Sequence, residues 1–499
     1  MQWWRSAVVY EAYVRSFGDG DGDGVGDLAG LRDRLGYLEL LGVDAIRLSP
    51  VYPSPMIDHG YDVADPRDVD ERFGGLDAFD ALLTAVHEHG MKLLVELVPN
   101  HTSSEHPWFR AALAAPPGSP ARARYHFRPG RDGRPPTNWR STFGGPAWTR
   151  AGGGDEWYLH LHAPEQPDLN WTNPEVWADL EKTLHFWLDR GVDGFRIAGA
   201  HSMSKPDALV DAPVNGPDPR VDDDGVHDVH RLVRAVLDHH PGRVVVGEVP
   251  VAEPARFARY LRPDELHLAL GPGLAATPFA AEAVRATIET ALATASSARA
   301  APAWSLGGHD LERATSRLGG EARARAMALV LLALPGAVFL YQGEELGLAD
   351  ADVPEDFRCD PIVLLSRGTA RGRDGHRVPL PWDTGPPGWG FTSGSPWLPI
   401  PPDYGRRTVA AQLEDPTSTL SLYRRGIDLR RHHPGFTGDG VEWFGAPRGC
   451  LAFRRSGSTL VCALNTSDAA VPLPPGDVLL SSDELDDGFL PPDTAAWLT

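Results

Sequence analysis

Short apolar runs alternate with amphipathic helical patterns along most of this chain, and that alternation constrains the fold more than any other feature. In order, the runs read AVVYEAYV, VDAIRLSP, MKLLVELVPNH, VDGFRIAGA, RVVVGEVP, ELHLAL, APAWSLGGHD and PGAVFLYQGEE. Between the first two, LAGLRDRLGYLELLG carries leucines at helical spacing, namely Leu28, Leu31, Leu35 and Leu38, and predicts an amphipathic helix. Strands that alternate with helices are typical of βα units around a parallel sheet. Eight such units predict an α/β fold, a (β/α)8 TIM barrel with its chemistry at the strand ends.

Two segments depart from this alternation. After His101 a Pro- and Gly-rich excursion runs to Trp171, which is too long for an ordinary loop and predicts an inserted subdomain after strand 3. From His433 onward, CLAFRRSG and TLVCALNTS predict a C-terminal antiparallel β domain. The predicted division is a barrel domain of residues 1–101 and 172–432, an inserted domain of residues 102–171, and a C-terminal domain of residues 433–499.

Composition narrows the possible partners. With 47 basic and 68 acidic residues the net charge is −21, which opposes binding to nucleic acid or anionic membranes and suits a small neutral ligand, although solubility alone accounts for it equally well. The three cysteines show no metal-ligand spacing. Cys450 and Cys462 could face each other across a hairpin, but buried free thiols are favoured. The sequence has no membrane-length apolar run and opens without a basic-then-apolar leader, so we expect a cytoplasmic protein. Its oligomeric state is left open.

Several motifs follow the predicted strand ends in a fixed order. GYDVADPRDVDERFGG follows strand 2, ELVPNHTSSEHPWF strand 3, GFRIAGAH strand 4, GEV strand 5, GGHD strand 7, and YQGEELGL with RGRDGHRVPLPW strand 8. From Trp3 to the C-terminal tail the chain resembles the α-amylase family of glycoside hydrolases (family 13), in particular its α-glucosidase and oligo-1,6-glucosidase branch. The resemblance implies retaining hydrolysis or transglycosylation of a terminal α-glucosyl unit, with a small-molecule α-glucoside or sugar-like substrate and no organic cofactor.

The resemblance also implies roles for individual residues. Glu248 matches the general acid/base and Asp310 the residue that stabilises the transition state. The matched substrate contacts are Tyr61, Asp62, His101, Arg196, His309 and Arg377. Each of them could instead be a polar residue of the barrel rim, but their common register favours a sugar site. Retaining chemistry requires an acid and a carboxylate nucleophile about 5–5.5 Å apart.

The nucleophile position is the main departure from the family. Ala198, in GFRIAGAH, stands where the family has a carboxylate, and alanine cannot attack an anomeric carbon. The sequence therefore predicts severely impaired hydrolysis. Glu96 and Gly308 replace the usual Asp and Asn, and LGPGL replaces the usual segment after strand 6. Gly199 removes a residue that in this branch helps to distinguish α-1,6 from α-1,4 linkages, so the linkage is not predicted.

Ala198 has two explanations at the level of sequence. An engineered replacement accounts for one lost carboxylate among retained partners, whereas natural divergence accounts for the further departures. The chain could accordingly be a glucosidase scaffold without its nucleophile or a diverged enzyme with non-hydrolytic or single-displacement chemistry on a sugar-like natural product. It could also be a non-catalytic sugar-binding pseudoenzyme. Glu96 could lend a carboxylate to the vacated space or simply form an ion pair with Arg196.

An acidic loop follows the first strand. DGDGDGVGD places carboxylates at Asp19, Asp21, Asp23 and Asp27, with the carbonyl of Val25 among them. Alternating acids in a Gly-rich loop can direct several oxygens at one hard cation, as in EF-hand loops. The loop resembles the calcium site of this branch and predicts a structural Ca²⁺, with an acidic solvated turn as the alternative.

Overall fold

The computed structural model describes residues 2–206, 208–214, 216–386 and 388–499. In chain order the strands are β1 (Val8–Ala12), β2 (Ala45–Leu48), β3 (Lys92–Leu97), β4 (Phe127–Pro129), β5 (Trp148–Arg150), β6 (Glu156–Leu159), β7 (Gly194–Ile197), β8 (Val244–Glu248), β9 (Leu268–Leu270), β10 (Ala303–Ser305), β11 (Ala337–Tyr341), β12 (Val441–Phe444), β13 (Cys450–Arg455), β14 (Val461–Asn465), β15 (Val471–Pro472), β16 (Val478–Ser481), β17 (Phe489–Leu490) and β18 (Thr494–Leu498).

The α-helices are, in the same order, α1 (Leu28–Arg32), α2 (Leu35–Leu41), α3 (Gly75–Glu88), α4 (Pro107–Ala114), α5 (Pro120–Ala123), α6 (Pro174–Arg190), α7 (Val226–Asp238), α8 (Pro254–Arg259), α9 (Ala281–Ser297), α10 (Ala314–Arg317), α11 (Glu321–Ala333), α12 (Pro361–Leu365), α13 (Asp374–Arg377), α14 (Val409–Glu414) and α15 (Thr419–His432). Among the described residues, none of these helices has both the length and the apolar content needed to cross a bilayer.

Eight parallel strands form the central sheet. Their order is β10-β11-β1-β2-β3-β7-β8-β9, and the two edge strands, β9 and β10, lie against each other. The sheet is therefore a nearly closed barrel, and each of its strands falls within one of the eight apolar runs of the sequence. The predicted TIM-barrel architecture is confirmed.

The barrel interior changes character along the strands. Near the N-terminal ends, small and branched side chains such as Val9, Ala45 and Leu94 form an apolar cluster. Side chains two residues apart in a strand point to the same face. Each of these three positions is followed two residues later by a buried charged residue, namely Glu11, Arg47 and Glu96. The alternation of side chains along the strands thus places a layer of charged residues on the C-terminal side of the apolar cluster. The predicted site residues lie at this C-terminal end of the barrel.

The first amphipathic helix differs from the sequence prediction, because it is two helices. Helix α1 begins at its N-cap Asp27, whose carboxylate accepts from the N–H of Gly30, and it ends at Arg32. Arg34 has φ −115° and ψ 12°, so the helical ladder is interrupted before α2 starts at Leu35. All four leucines are still buried, which is why the periodicity reads through the break.

The described residues form three smaller antiparallel sheets besides the barrel, one of which is the short pair β15–β17. Strands β4, β6 and β5 form an antiparallel sheet in the segment after β3. After α15, an antiparallel sheet of order β12-β13-β14-β18-β16 packs on α11, where the indole N–H of Trp497 donates to the carbonyl of Leu329 at 3.1 Å. The predicted C-terminal antiparallel strands are therefore present.

All three cysteines are free, and they differ in exposure. Cys450 lies opposite Asn465 and Cys462 opposite Phe453, so the two cysteines are not cross-strand partners in the β13–β14 hairpin. Cys462 is buried, Cys450 is half-buried and Cys359 is exposed. The free-thiol expectation therefore holds, whereas burial applies fully only to Cys462.

Candidate active site

A chain of buried ion pairs links five strands at the C-terminal end of the barrel. Arg47 on β2 pairs with Glu11 of β1 and with Glu96 of β3, in both cases at 2.7 Å. Arg196 on β7 contacts the second oxygen of Glu96 with one guanidinium nitrogen and lies 2.8 Å from Glu248 of β8 with the other. Two arginines thus alternate with three carboxylates, and the charges balance to within one unit.

Glu96 belongs to this network as a bridging residue. Its side chain is fully buried, and its two oxygens are taken by Arg47 and Arg196. A carboxylate held by two guanidinium groups is a poor nucleophile and is not free to move into the space beside Ala198. The geometry therefore supports the ion-pair interpretation of Glu96.

Ala198 directly follows β7, beside Glu248. Its backbone N–H donates to the carbonyl of Leu97 at 2.9 Å, and the N–H of the next residue, Gly199, donates to the carboxylate of Glu248 at 3.2 Å. Gly199 has φ +53°, a left-handed conformation that favours glycine. The main chain directly after the predicted nucleophile position is thus hydrogen-bonded to the predicted acid/base.

His309 and Asp310 join the network from the loop after β10. The ring of His309 lies between Glu11, 2.5 Å from Nδ1, and Asp310, 3.1 Å from Nε2. Tyr61 stacks on this ring and places its hydroxyl 2.7 Å from Nε2. Although burial acts to lower it, Asp310 and Glu11 raise the pKa of His309. For Glu11, burial is outweighed by Arg47 and then His309, which lower the pKa to about 2.

Two arginines from the segment after β11 hold Asp310. Arg377, fully buried, donates to one oxygen of Asp310 at 2.6 Å, and Arg373 donates to the same oxygen at 2.8 Å. Arg373 also pairs with Asp58 at 2.7 Å and with Asp360 at 2.8 Å. Sequence reasoning missed Arg373, although it stands four residues before Arg377 in the same motif.

His101 and Asp62 complete the group. His101 Nε2 lies 3.0 Å from the carbonyl oxygen of Tyr61 and 3.1 Å from the side-chain nitrogen of Gln166. The N–H groups of Ile57 and Asp58 donate to the two oxygens of the fully buried Asp62 at 2.9 and 3.0 Å. Burial raises the pKa of Asp62 to about 6.

Gln166 and Asp58 were also missed from the sequence. Gln166 donates to Asp58 at 3.1 Å and so ties the inserted segment to the loop after β2. Asp58 stands three residues before Tyr61, just before the motif that begins at Gly60, whereas Gln166 has no sequence signal beyond its place near the end of the insertion. The structure thus brings together, in one contact network, Tyr61, Asp62, His101, Arg196, Glu248, His309, Asp310 and Arg377.

The acidic loop forms a second group of oxygens. The carboxylates of Asp19, Asp21 and Asp27 offer oxygens that all lie within 4.8 Å of one another. Asp23 lies outside this group, and its carboxylate accepts from the N–H of Val25 at 2.7 Å. Two Ca–O bonds of about 2.3–2.6 Å place ligands up to about 5 Å apart, so the three converging carboxylates fit a calcium ion.

Two further positions at which the sequence departs from the family pattern, Gly308 and the LGPGL segment, lie in different surroundings. A Cβ at Gly308 would lie 3.7 Å from the Glu11 carboxylate, an ordinary contact, so packing does not require glycine there. The LGPGL segment lines an apolar cavity of about 460 Å³ between α8 and α9, together with Phe257 and Trp304. No predicted site residue is among the described residues that line this cavity.

Comparison with known proteins gives consistent results. The chain is 36% identical over 482 residues to the oligo-1,6-glucosidase of Parageobacillus thermoglucosidasius, with 86% of this chain and 84% of that protein covered. The solved α-glucosyl transfer enzyme XgtA matches with a TM-score of 0.92 and 35% identity, over 100% of both chains. A mutant of MutB in complex with its substrate sucrose matches with a TM-score of 0.91 and 31% identity, over 100% of this chain and 99% of the other. The catalytic-domain model of the alpha-amylase family matches residues 11–439. The chain therefore belongs to the alpha-amylase family.

Proposed function

We propose that this protein binds a terminal α-glucosyl-like unit in a retaining-type pocket that lacks its nucleophile, so that hydrolysis is severely impaired. One observation carries the proposal. Within the network the side chains of Glu248 and Asp310 are 35% and 36% exposed, whereas those of Arg196 and Arg377 are 7% and 0% exposed. Glu248 and Asp310, which the family resemblance places beside the reacting sugar, are therefore accessible to solvent. The buried Arg196 and Arg377 hold them in position through ion pairs.

The residues of this chain support two parts of the retaining reaction, namely protonation of the leaving group and stabilisation of the transition state, but not formation of the covalent intermediate. Glu248, aligned by Arg196 and by the Gly199 N–H, can deliver a proton to a leaving oxygen. Asp310, fixed by two arginines, can accept hydrogen bonds from ring hydroxyls as positive charge develops on the sugar. The methyl group of Ala198 cannot form the covalent intermediate that water would then release.

Sugar binding tests the pocket directly. We expect isothermal titration to show saturable binding of at least one sugar among maltose, isomaltose, trehalose and sucrose. Asp310→Asn should weaken that binding about tenfold or more, because a charged acceptor contributes about 1.5–3 kcal/mol to a hydrogen bond. Asp356→Asn, an exposed carboxylate in the segment after β11, is the matched control. Absence of binding by all four sugars and by related α-glycosides would disprove the proposal.

The inserted segment is proposed to form a wall of this pocket. Gln166 contacts His101 and Asp58, and the ring of Phe143 lies 5.0 Å from the guanidinium carbon of Arg373. These contacts join the segment to loops after β2, β3 and β11. They support the division into residues 1–101 with 172–432, 102–171 and 433–499, which we retain as a proposal. A cytoplasmic location stays a prediction.

Sugar affinity should depend on pH through Asp62. Since burial raises the pKa of Asp62 to about 6, its carboxyl is neutral below that pH. A neutral carboxyl accepts more weakly from the N–H groups of Ile57 and Asp58, which hold the loop after β2 beside the pocket. We expect the association constant to rise about five- to tenfold between pH 5 and pH 7. The same ionisation lowers the free energy of unfolding between about pH 4 and pH 6, because the folded state holds the proton longer than the unfolded state. Titrations at pH 5, 6 and 7 should show this rise, and Asp62→Asn should flatten it; an unchanged profile in the variant would assign the pH dependence elsewhere.

Calcium is proposed to occupy the acidic loop, held by Asp19, Asp21 and Asp27 with Asp23 and the Val25 carbonyl as further ligands. When bound, it would neutralise converging carboxylates and fix the loop that leads into α1. Excess chelator should therefore lower the melting temperature, since an ion that binds only the folded state stabilises it. Asp21→Asn should reduce the chelator effect. An unchanged melting curve, with no calcium by elemental analysis, would contradict this assignment.

A further inference from the structure

Two histidines and an aspartate converge on the outer surface of the barrel, away from the residues described above. His185 and Asp189 lie one turn apart on α6, and His240 lies two residues beyond the end of α7. One ring nitrogen of each histidine and one carboxylate oxygen of Asp189 all lie within 4.8 Å of one another. The two imidazole rings are 6.0 Å apart, centroid to centroid, and inclined at 54°.

The donor set matches borderline divalent cations. Imidazole nitrogen with carboxylate oxygen suits Zn²⁺, Ni²⁺ and Cu²⁺, whereas Ca²⁺ and Mg²⁺ prefer oxygen donors alone. Zinc–nitrogen bonds of about 2.0–2.1 Å place two tetrahedral ligands about 3.3 Å apart. Each side chain therefore needs to move by less than about 1 Å to reach a common ion, which rotation of surface side chains provides.

The neighbourhood leaves Asp189 able to ligate. The adjacent cation, Arg190, pairs with Asp80 on α3 at 2.8 Å instead of with Asp189. Helices α6 and α7 pack directly on each other. Helix α6 carries His185 and Asp189, and the turn that carries His240 is fixed to the end of α7 by the His240 N–H, which donates to the carbonyl of Leu237 at 2.8 Å. Ligands carried by rigid elements lose little conformational entropy on binding, which favours a specific site.

We propose that His185, Asp189 and His240 form a binding site for a transition-metal ion, with Zn²⁺ as its natural class of ligand. The site ties α6 to α7, the helices that immediately precede β7 and β8. Arg196 lies in β7 and Glu248 is the last residue of β8, so the bound metal braces the outside of the two βα units that supply the acid/base and its arginine. The site has an open coordination position for water, as expected for three protein ligands.

A second cluster of possible ligands competes for the same metals. His59, Cys359 and Asp374 also have ligand atoms within 4.8 Å of one another. There, however, a guanidinium nitrogen of Arg15 donates to Nδ1 of His59 at 2.7 Å, which leaves the proton on Nε2. Arg15, Arg373 and Arg377 also make the surroundings positive. That cluster is therefore a poor cation site.

The test uses the full chain with saturating Ca²⁺, so that the acidic loop does not take up zinc. Titration with ZnCl₂ should show one Zn²⁺ per chain and a rise in melting temperature that chelation reverses. His185→Ala and His240→Ala should each weaken binding at least about tenfold, comparable to or greater than the loss of an outer-shell partner. With Cu²⁺, the electron paramagnetic resonance spectrum should show two coordinated imidazole nitrogens in the parent and one in each of these variants.

Two control variants separate this site from others. His432→Ala removes an exposed histidine that pairs with Asp428 one turn away on α15, a helical His–Asp pair that no third possible ligand joins among the described residues. Cys359→Ser removes the thiol of the competing cluster. Zinc binding should persist in both. The proposal is overturned if zinc does not bind the parent, if the His185 and His240 variants bind it as tightly as the parent, or if Cys359→Ser abolishes binding. Melting curves without metal show that each variant is folded.

Discussion

Replacing Ala198 with aspartate is expected to raise the hydrolysis of a nitrophenyl α-glucoside by about 10³-fold or more. The substitution places a carboxylate directly after β7, beside Glu248. Arg196 carries a buried Nε–H that has no hydrogen-bond acceptor among the described residues, and this donor is available to an added carboxylate. The measurement is nitrophenol release at saturating substrate by the parent and by Ala198→Asp.

Two controls identify the cause of such a gain. Ala198→Asn has nearly the same shape as the aspartate variant but cannot act as a nucleophile, so its rate should stay at the parent's level. Azide added to the parent chain should enter the space left by the missing carboxylate and attack the anomeric carbon while Glu248 protonates the leaving nitrophenolate. The product would be β-glucosyl azide. If all of these rates stay flat while sugar still binds, the pocket has diverged from retaining chemistry, and natural divergence accounts for Ala198.

Replacing Arg47 with leucine is expected to lower the free energy of unfolding by about 3–5 kcal/mol, because removal of one partner leaves buried charges uncompensated. Arg47 is 3% exposed and is the only cation in the described network that joins Glu11 to Glu96. Urea unfolding followed by tryptophan fluorescence should show a lower midpoint without a change in slope.

Two control variants test whether the effect depends on the burial of Arg47 and on its charge. Arg32→Leu removes an arginine of a surface pair with Asp33, whose side chains are 44% and 61% exposed, and should change stability by no more than about 0.5 kcal/mol. Arg47→Lys keeps the charge but loses the forked geometry, so an intermediate loss is expected. A change below about 1 kcal/mol for Arg47→Leu would show that water or rearranged neighbours compensate Glu11 and Glu96.

The parts of the fold that follow from local periodicity could be predicted from the sequence. Each apolar run became a barrel strand because branched residues bounded by turn signals specify a buried strand. The interrupted helix was missed, since the leucines keep their spacing across the break at Arg34. Hydrophobic periodicity reports which side chains face the core, and it does not report whether every backbone hydrogen bond of a helix is made.

Some site residues could likewise be predicted from local sequence patterns, whereas others could not. Glu248, His309 and Asp310 stand in motifs at strand ends, where the sequence pattern was informative. Arg47 reads as one polar residue inside an apolar run, and nothing local shows that it pairs with Glu11 and Glu96. Such pairs depend on which strands become neighbours, and that information belongs to the whole barrel.

The contacts that build the site are unusually distant along the chain. Arg373 and Asp58 are 315 residues apart in sequence, and His309 and Glu11 are 298 residues apart. Closing loops of this length costs entropy that is recovered only when the strands between them are in place. A chain emerging from the ribosome carries Ala198 and Glu248 long before it carries the arginines that hold Asp310. The proposed sugar site is therefore completed only at the end of folding, and a ligand of that site can rescue a damaged variant only after its barrel has closed.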